Sequence, residues 1–447
     1  MAKHIVLVGG GHAHAQVIKA MAARPANVKV TLVDPLRRAV YSGMVPGCVS
    51  GLYGVADTEI ALEPVASWAS VDYLSASVTD VDPLERTVTC DDGSVLRYDA
   101  LSLDIGSTVR TMEGVGRWTI PTRPIGALVE RFNIEEAALR ADVDIGARVL
   151  RIAIVGGGAA GIEMAFATIA RFAKVGAAKV EVTLLDSGVE LLPNEAAACR
   201  AAVNEALEKK GVAVQHGFVV ESVSEGVVAS ADGRSEKFTH CVWATGAASH
   251  ELAKRLAAAG VPVTERGWIR VKDTLQSVAY ESLFAAGDCA SIEGLDGPPP
   301  KAGVYAVRAG PILIQNLTAS IAGGALQHYA PQSDFLKLLM TGDGSAIGFR
   351  FGKAMTGAWV WHLKDLIDRS FMDLFAAEGL GSPPERGAAL DTAQYDAVEL
   401  PPRLEPEDSA TLLGRTDEGV DYKAAFAVLK HMMADADYKT AVLAHMP

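Results

Sequence analysis

The sequence has few cysteines, and no two of them are close together along the chain. The five are Cys48, Cys90, Cys199, Cys241 and Cys289. A zinc site or a redox-active disulfide of the CxxC or CxxxxC type requires paired cysteines, so we expect neither, and we predict no metal site. A sparse, odd-numbered set of thiols is typical of proteins from the reducing cytosol. The predicted location is therefore cytoplasmic, with the inner face of the cell membrane as an alternative.

Long apolar runs and basic clusters are also missing. No apolar run reaches the roughly 18 residues of a membrane-spanning helix, and a strand-like run, His4–Val8, begins too close to Met1 for a signal peptide. Any membrane contact must therefore be peripheral. The formal net charge is −13, which repels nucleic-acid phosphate, so we expect no nucleic-acid partner. A chain of 447 residues is long enough for two or three domains.

One larger pattern occurs twice: a strand, a glycine-rich turn, a helix, a second strand and then an aspartate. The first copy spans residues 4–34 and ends at Asp34, and the second spans 151–186 and ends at Asp186. This order is typical of a Rossmann-type unit. The sequence therefore predicts an α/β fold with two Rossmann-type, three-layer dinucleotide-binding domains, the second inserted in the first, and a C-terminal α+β segment.

The second copy carries the complete turn motif, Gly156-x-Gly158-x-x-Gly161. Glycines at these positions permit the sharp turn and remove the Cβ atoms that would block a phosphate, while the helix N-terminus offers free N–H groups. Asp186 follows where a carboxylate can accept hydrogen bonds from ribose hydroxyls. No arginine follows it directly to bind a 2′-phosphate, so the motif favours NADH over NADPH.

The first copy departs from this motif at one position. Gly9 and Gly11 are present, but His14 replaces the third glycine. His12 and His14 suggest either a metal or proton-transfer site, or two side chains that flank a phosphate turn and bond the backbone. We favour the second interpretation because the sequence offers no third metal ligand. Strand ends at Gly106 and at Gly287-Asp288 support a nucleotide site here.

The segments between the copies complete the predicted organisation. Residues 79–97 alternate around Asp91-Asp92-Gly93 as in a β-hairpin, and a similar pattern surrounds Asp232-Gly233. Residues 326–376 combine a strand-like stretch with an amphipathic helix. The predicted domains are the first part of one dinucleotide-binding domain (1–115), an inserted dinucleotide-binding domain (116–262), the second part of the first domain (263–325), an interface or membrane-facing segment (326–376), and a linker with a helical tail (377–447). Within the last of these, 377–410 are predicted to be the linker and 421–445 to be helical.

On these residues the chain resembles the pyridine nucleotide-disulfide oxidoreductase superfamily. Within it, the chain is similar to type II NADH:quinone oxidoreductases and to the flavoprotein domain sometimes fused to selenophosphate synthetase. The segments that carry the resemblance are Val8–His14, Tyr41–Gly47, Gly156–Glu163, Phe284–Asp288, Pro300–Arg308 and Trp359–Arg369. The resemblance implies FAD and NADH as cofactors, with an FAD-binding domain formed by 1–115 and 263–325 and an NAD(P)H-binding domain formed by 116–262.

The resemblance also implies residue roles. Gly9, Gly11 and Asp34 would hold the FAD pyrophosphate and adenosine ribose, and Asp288 the ribityl chain. Glu163 would lie near the nicotinamide. The candidate cofactor-binding residues are Gly9, Gly11, His12, Ala13, Asp34, Gly106, Gly287, Asp288, Gly156, Gly158, Gly161, Asp186 and Gly246, and the candidate catalytic residues are Glu163 and Tyr305.

Two departures from the family keep alternatives open for the electron acceptor. The vicinal cysteine pair of the disulfide reductases is missing, and Gly303-Val304, followed by Tyr305, replaces the Ala-Gln pair usual in quinone reductases. The predicted function is hydride transfer from NADH to flavin and on to a quinone or other small acceptor. The alternatives are oxidation of a sulfur or selenium compound, for which only Cys48 and Cys289 are suitably placed, and a low-turnover redox-sensing or interaction protein. A homodimer is a further alternative.

The amphipathic helix predicted over 359–375 has two interpretations. Its apolar face carries Trp359, Leu363, Leu366, Ile367, Phe371 and Leu374, and the opposite face carries Lys364, Asp365, Asp368, Arg369 and Asp373. An apolar face with aromatic anchors is typical of an interfacial membrane helix. The same face could pack on the core of the protein instead. We expect peripheral membrane contact through this helix, with core packing as the alternative.

Overall fold

Two parallel β-sheets organise the part of the chain that the computed structural model describes, which is residues 2–295, 299–390, 392, 402–414 and 420–446. Up to residue 109 the helices and strands are β1 (Lys3–Val8), α1 (His12–Ala20), β2 (Val28–Val33), β3 (Arg38–Val40), α2 (Val45–Ser50), β4 (Glu59–Ala61), α3 (Leu62–Trp68), β5 (Asp72–Leu74), β6 (Val78–Asp82), β7 (Thr87–Cys90), β8 (Val95–Arg97), β9 (Ala100–Leu103) and β10 (Thr108–Val109). Residues 115–248 contain α4 (Val115–Trp118), β11 (Ile120–Pro121), α5 (Leu128–Ala141), β12 (Val149–Val155), α6 (Ala159–Phe172), β13 (Lys179–Leu185), α7 (Ala197–Lys209), β14 (Ala213–Gln215), β15 (Val220–Ser224), β16 (Val227–Ser230), β17 (Ser235–Lys237), β18 (His240–Trp243) and β19 (Ala247–Ala248). From residue 251 onward follow α8 (Glu251–Ala258), β20 (Ile269–Val271), β21 (Leu283–Ala285), β22 (Ala290–Ile292), α9 (Gly303–Ala322), β23 (Lys337–Met340), β24 (Ala346–Arg350), β25 (Lys353–Gly357), α10 (Ala358–Asp373), α11 (Ala377–Leu380), α12 (Pro406–Gly414), α13 (Tyr422–Ala434) and α14 (Ala436–His445).

The first sheet is parallel and has the strand order β21-β9-β1-β2-β5. Parallel strands covered on both faces form continuous apolar runs, and Ile5, Val6 and Leu7 of β1 are accordingly fully buried. The edge strand β21 lies far along the chain, after the whole of the second sheet. The unit built on this sheet, called the first unit below, is therefore completed only when the chain returns to it.

The second sheet is also parallel, with the order β11-β18-β12-β13-β14, and the unit built on it is called the inserted unit. Strands β10 and β19 pair antiparallel, with Thr108 opposite Ala248, where the chain passes between the two units. The predicted fold class, with the second Rossmann-type unit inserted in the first, is confirmed. Leu252 and Leu256 of α8 pack in a core with strands of the first sheet, and the bounds assigned to the domains stay a prediction.

The hairpins and the C-terminal α+β segment also form. Strands β7 and β8 pair antiparallel around residues 91–94, and β16 and β17 do so around 231–234, as the alternation predicts. Strands β23, β24 and β25 form an antiparallel sheet that leads directly into α10. This order matches the strand-like stretch followed by a helix expected over 326–376.

Half of the apolar face of α10 is buried inside the protein, and Leu366, Ile367 and Leu374 are partly exposed, which favours core packing, while membrane contact through this helix stays a prediction. Trp359, Leu363 and Phe371 are 1%, 0% and 9% exposed. Trp359 and Leu363 lie in a core shared with α2, α6 and the C-terminal helices, whereas Phe371 lies in the core of the first unit. Lys364 and Asp368, which the spacing had placed on an outer polar face, are 4% and 5% exposed. The buried side chains of the helix therefore pack against both units and the tail.

The C-terminal helices cover α10 on one side. Tyr422 of α13 stacks on His362 of α10 with ring centroids 5.7 Å apart. The helical tail predicted over 421–445 is confirmed by α13 and α14. The predicted linker, 377–410, contains α11 and the start of α12, and its residues 391 and 393–401 lie outside the described residues. Among the residues that the structure describes, no helix combines the length and apolar character needed to cross a membrane.

Candidate functional site

The turn between β1 and α1 is shaped by its glycines. Gly9 has a φ of +86°, and a Cβ there would lie 2.5 Å from the carbonyl oxygen of Asp104. A Cβ at Gly11 would collide with the Asp104 carboxylate. Asp34, at the end of β2, accepts hydrogen bonds from the backbone N–H groups of Gly10 and Leu36, both at 2.6 Å. The structure therefore brings Gly9, Gly11 and Asp34 together at the carboxyl ends of the strands, where Rossmann-type folds bind ligands.

His14 replaces the third glycine of the motif, and both of its ring nitrogens form hydrogen bonds at the turn. Its Nδ1 lies 2.6 Å from the Gly9 carbonyl oxygen and its Nε2 lies 2.8 Å from Ser102 Oγ. Burial lowers the pKa of His14 to about 4, so the ring is neutral and Nδ1–H donates to the carbonyl. His12 is half-buried, desolvation lowers its pKa, and its ring packs edge-on against Tyr41 at 5.2 Å. Both histidines thus fit the interpretation in which they flank the turn.

A second strand end closes the first site. Gly287, with a φ of +68°, turns the chain after β21, and a Cβ there would lie 2.5 Å from Asp104 Oδ1. Asp288 Oδ2 accepts hydrogen bonds from Ser107 Oγ at 2.7 Å and from Arg123 Nη1 at 2.8 Å. Gly106, with a φ of +65°, has open space where a Cβ would lie. Arg123 belongs to the loop after β11 of the inserted unit, so this ion pair joins the two units.

The turn between β12 and α6 is also shaped by glycines, and it has open space at Gly158 and an unbonded carboxylate oxygen at Asp186. A Cβ at Gly156 or Gly161 would collide with backbone, whereas one at Gly158 would meet nothing within 4 Å. Asp186 is 9% exposed, and its Oδ2 has no hydrogen-bond partner among the described residues. His216 Nδ1 lies 3.7 Å from this oxygen. A free carboxylate oxygen beside an open glycine turn is what a ribose hydroxyl requires.

Between the two turns lies a buried cluster of charged side chains. Lys364 Nζ of α10 lies 2.6 Å from Asp368 Oδ2 and donates to the carbonyl oxygen of Gly43 at 2.6 Å. Glu163, the fifth residue of α6, accepts a hydrogen bond at Oε1 from the backbone N–H of Met340 at 3.1 Å. The cluster therefore joins the inserted unit, the loop after β3 and the C-terminal segment.

Burial and mutual interaction set the protonation of this cluster. Burial raises the pKa of Glu163 to about 7, although Lys364 acts to lower it. Burial also raises the pKa of Asp368, again opposed by Lys364. For Lys364, burial alone would lower the pKa, but Asp368 and Glu163 outweigh it and raise the pKa. The phenol of Tyr41 is buried against Asp368, which keeps its pKa well above the usual value. Tyr41 thereby connects the cluster to His12 at the first turn.

Comparison with known proteins identifies the family. The model of the pyridine nucleotide-disulphide oxidoreductase family matches residues 3–311. The chain belongs to this family. Curated relatives include mouse ferroptosis suppressor protein 1, 26% identical over 372 residues, covering 79% of this chain and 91% of the relative. The type II NADH:quinone oxidoreductase of Haemophilus influenzae is 31% identical over 163 residues, covering 34% of this chain and 36% of the relative.

Solved structures show the same fold. The sulfide:quinone oxidoreductase of Aquifex aeolicus has a TM-score of 0.69 at 17% identity, covering 84% of this chain and 91% of that one. NDH2 of Plasmodium falciparum, solved in complex with NADH, has a TM-score of 0.69 at 14% identity, covering 86% and 99%. The family model and the curated relatives confirm the resemblance to the superfamily and to type II NADH:quinone oxidoreductases that was inferred from the sequence.

The expected cofactors of this family member, FAD and NADH, fit its two turns. At Gly11 the absence of a Cβ makes room for the Asp104 carboxylate at the start of α1, and Asp34 lies beside the same turn with both oxygens held by backbone N–H groups. At Gly158 the space is open, and Asp186 offers an unbonded oxygen. Each turn thus provides a helix N-terminus for a pyrophosphate and a carboxylate for a ribose.

Tyr305 and Gly246 lie apart from the charged cluster. Tyr305 Oη donates to the carbonyl oxygen of Gln332 at 3.4 Å, and its ring packs edge-on against Phe335 at 5.6 Å. It lines a cavity with Asp288 and Lys301. Gly246 follows β18, and a Cβ there would meet only the Arg110 side chain, at 3.8 Å. The structure therefore places Tyr305 at the Asp288 side of the first site, and its catalytic role stays a prediction.

The cysteines, all of which lie in the described part of the chain, are buried and form no disulfide. Burial raises the pKa of Cys289 to about 12, and its Sγ donates to the carbonyl oxygens of Leu103 and Ala286. Burial likewise raises the pKa of Cys48. The thiolate is the reactive form of cysteine. Because burial keeps both thiols protonated, neither is activated for sulfur chemistry.

Several residues of the site escaped the sequence motifs. Helical spacing predicts a polar outer face for Lys364 and Asp368, and Asp104 precedes the strand end at Gly106 without belonging to a motif. Arg123 carried no signal, because nothing in the sequence pairs its loop with Asp288. The spacing of Lys364 and Asp368, i and i+4 on a helix, was the one available clue, since such pairs interact.

Proposed function

We propose that this chain is an FAD-dependent NADH dehydrogenase that delivers electrons to a quinone or a similar small acceptor. The observation that carries the proposal is the pair of dinucleotide turns with a buried acid–lysine cluster between them. When bound, FAD would accept hydride from NADH and supply electrons to the acceptor. The quinone oxidoreductases among the relatives and structural neighbours support a quinone.

The residues of each turn would bind one of the two cofactors. Gly9, Gly11, His12 and Ala13, with Gly106, Gly287 and Asp288, would surround FAD, and Asp34 would bind its adenosine ribose. Gly156, Gly158, Gly161 and Gly246 would surround NADH. Asp186 would bind the adenosine ribose of NADH through its unbonded Oδ2, and a 2′-phosphate at that place would be repelled, which supports NADH over NADPH.

Glu163 would donate a proton beside the reacting groups, and Lys364 would stabilise negative charge there. Reduction of a quinone to a quinol consumes two protons as well as two electrons. Glu163 Oε1 is occupied by the Met340 N–H, so Oε2 is the oxygen that holds a proton below about pH 7. Lys364 holds a positive charge within the same buried cluster. The pair therefore offers both a proton and an electrostatic stabiliser for a developing oxyanion.

The alternative of sulfur or selenium oxidation loses its main support, because Cys48 and Cys289 are buried, unpaired thiols with raised pKa values. The alternative of a low-turnover redox sensor differs from an enzyme in turnover, which the experiment below measures. A cytoplasmic location, peripheral contact with the inner face of a membrane, and a homodimer remain proposals. Membrane contact would require a surface other than the buried side chains of α10.

Anaerobic reduction and reoxidation test the proposed function. The flavin of the purified protein is expected to bleach on addition of NADH and to regain its colour when a short-chain ubiquinone or menadione is added. Reoxidation by the quinone should be faster than reoxidation by air-saturated buffer. A flavin that NADH leaves unchanged, or that quinones fail to reoxidise over many turnovers, would overturn the proposal.

A further inference from the structure

Asp104 is a buried carboxylate at the N-terminus of α1. It follows β9 and is 3% exposed. Its Oδ2 accepts hydrogen bonds from the backbone N–H groups of Ala13 at 2.9 Å and His14 at 3.1 Å. These N–H groups belong to the first turn of the helix, which has no backbone acceptors of its own. Asp104 therefore occupies donors that a Rossmann-type unit usually directs at a pyrophosphate.

The inserted unit provides an internal comparison. A Cβ at Gly9 would approach the Asp104 carbonyl oxygen, and a Cβ at Gly156 would approach the Ala244 carbonyl oxygen in the same way. Ala244 is thus the counterpart of Asp104. Ala244 carries only a methyl group, which cannot accept a hydrogen bond from α6, whereas the carboxylate of Asp104 accepts two from N–H groups of α1. The carboxylate is consequently a property of the first unit and is not required by the turn.

The two charged side chains that act directly on Asp104 are negative. Asp34 faces it from the end of β2 and Asp288 from the turn after β21, and both act with burial to raise the pKa of Asp104 to about 7, against the hydrogen bonds from α1. Arg123 is paired with Asp288, and Lys301 donates to the carbonyl oxygen of Ala290.

The remaining titratable neighbours carry no charge at neutral pH. His12 and His14 on α1 both have lowered pKa values because of burial. The Cys289 thiol, on the turn after β21, stays protonated because burial raises its pKa to about 12. A pyrophosphate at this helix would therefore bring two further negative charges to a carboxylate with little local compensation.

We propose that Asp104 positions the first turn of α1 for FAD and takes up one proton when FAD binds. The inference rests on the assignment of FAD to the first unit. With a proton on Oδ1, Asp104 is neutral and no longer repels the pyrophosphate. Its Oδ2 still accepts the hydrogen bonds from the N–H groups of α1. The proton comes from solvent, and no covalent bond changes. FAD affinity should therefore be constant at low pH and weaken as the pH rises above about 7, by up to about tenfold per pH unit.

Binding of FAD to flavin-free protein tests this role without any turnover. We would titrate the apoprotein with FAD between pH 6 and pH 8.5, following the quenching of flavin fluorescence. Isothermal titration calorimetry at pH 8, in two buffers of different ionisation enthalpy, would count the protons taken up. Wild type should lose affinity with rising pH and take up close to one proton. Asp104→Asn, which keeps an acceptor for α1 but has no charge, should bind with constant affinity and take up none.

Asp99→Asn, at the opposite end of β9, is the matched control, because Asp99 pairs with Lys3 away from the turn. It should behave as wild type. An Asp104→Asn protein that keeps the pH dependence, or wild type that binds FAD without proton uptake at pH 8, would overturn the proposal while leaving the FAD assignment intact. Failure of wild type to bind FAD at any pH would overturn both. If Asp104→Asn does not fold, Asp104→Ser replaces it, and a proton count of zero for wild type is still decisive.

Discussion

Replacing Lys364 by methionine should destabilise the protein strongly, because it leaves buried carboxylates without their counter-charge. Lys364 and Asp368 are 4% and 5% exposed, and Lys364 Nζ contacts both Asp368 Oδ2 and the Gly43 carbonyl oxygen at 2.6 Å. Methionine keeps much of the length and packing of the lysine stem. The change therefore removes the charge and its hydrogen bonds while creating little empty volume.

Removal of one partner from a buried ion pair typically costs about 3–5 kcal/mol. Removal of both charges, in Lys364→Met/Asp368→Asn, should recover a large part of that loss, with a coupling of about 0.5–3 kcal/mol. The cost of Lys364→Met should also depend on pH. Without the lysine, the carboxyls of Asp368 and Glu163 keep raised pKa values in the folded state, so the folded state binds more protons than the unfolded state. Stability then falls as the pH rises, and the deficit should be larger at pH 8 than at pH 6.

Urea unfolding followed by tryptophan fluorescence measures these effects, since Trp359 and Trp361 lie on the same helix. Lys254→Met is the matched control, because Lys254 forms a pair with Glu251 in which both side chains are largely exposed, and exposed pairs contribute little. If Lys364→Met shifts the unfolding transition no more than Lys254→Met, at both pH 6 and pH 8, the pair is not buried as the structure describes and its role beside Glu163 must be abandoned.

Other consequences can be tested separately. Asp186→Ala should lower kcat/KM for NADH by about ten- to a hundredfold, as expected for lost hydrogen bonds to a charged group, and Asp186→Arg should shift the preference towards NADPH; equal rates of wild type with both nucleotides would contradict this ribose assignment. Glu163→Gln should slow anaerobic reoxidation by quinone about a hundredfold with little change in NADH affinity. It should also abolish the decline in reoxidation rate that wild type shows above about pH 7. An unchanged rate would limit Glu163 to a structural role at the Met340 N–H. Trp359→Ser should cost about 3–5 kcal/mol of stability without affecting liposome flotation, whereas a folded variant that loses binding shown by wild type would support the membrane interpretation of α10.

The fold and the two turns could be predicted because their signals are local. Gly9 and Gly156 adopt positive φ values, which few other residues tolerate, and Asp34 and Asp186 follow buried strands at a fixed place. A short stretch of sequence therefore contains all the partners of each motif. The loss of the third glycine at His14 was visible in the same way, although the hydrogen bond that replaces it, to the Gly9 carbonyl, was not.

The environment of α10 could not be predicted, because helical spacing shows which residues share a face but not what covers that face. The spacing correctly grouped Trp359, Leu363 and Phe371. It could not show that distant segments also cover part of the opposite face, which buries Lys364 and Asp368. A charge on a helix is usually solvated, and only the partners brought by distant segments, Gly43 and Tyr41, make these two the exceptions.

The same long-range contacts explain why the site lies between the units and not within either one. Each turn could hold a dinucleotide alone, yet Arg123 of the inserted unit neutralises Asp288 of the first, and Glu163 of the inserted unit shares a buried cluster with Lys364 of the C-terminal segment. Relative movement of the units would separate these charges within a poorly solvated region, at a cost of several kcal/mol. The ion pairs thus oppose such movement, and hydride transfer requires this constraint because the reacting atoms must approach to about 3–3.5 Å.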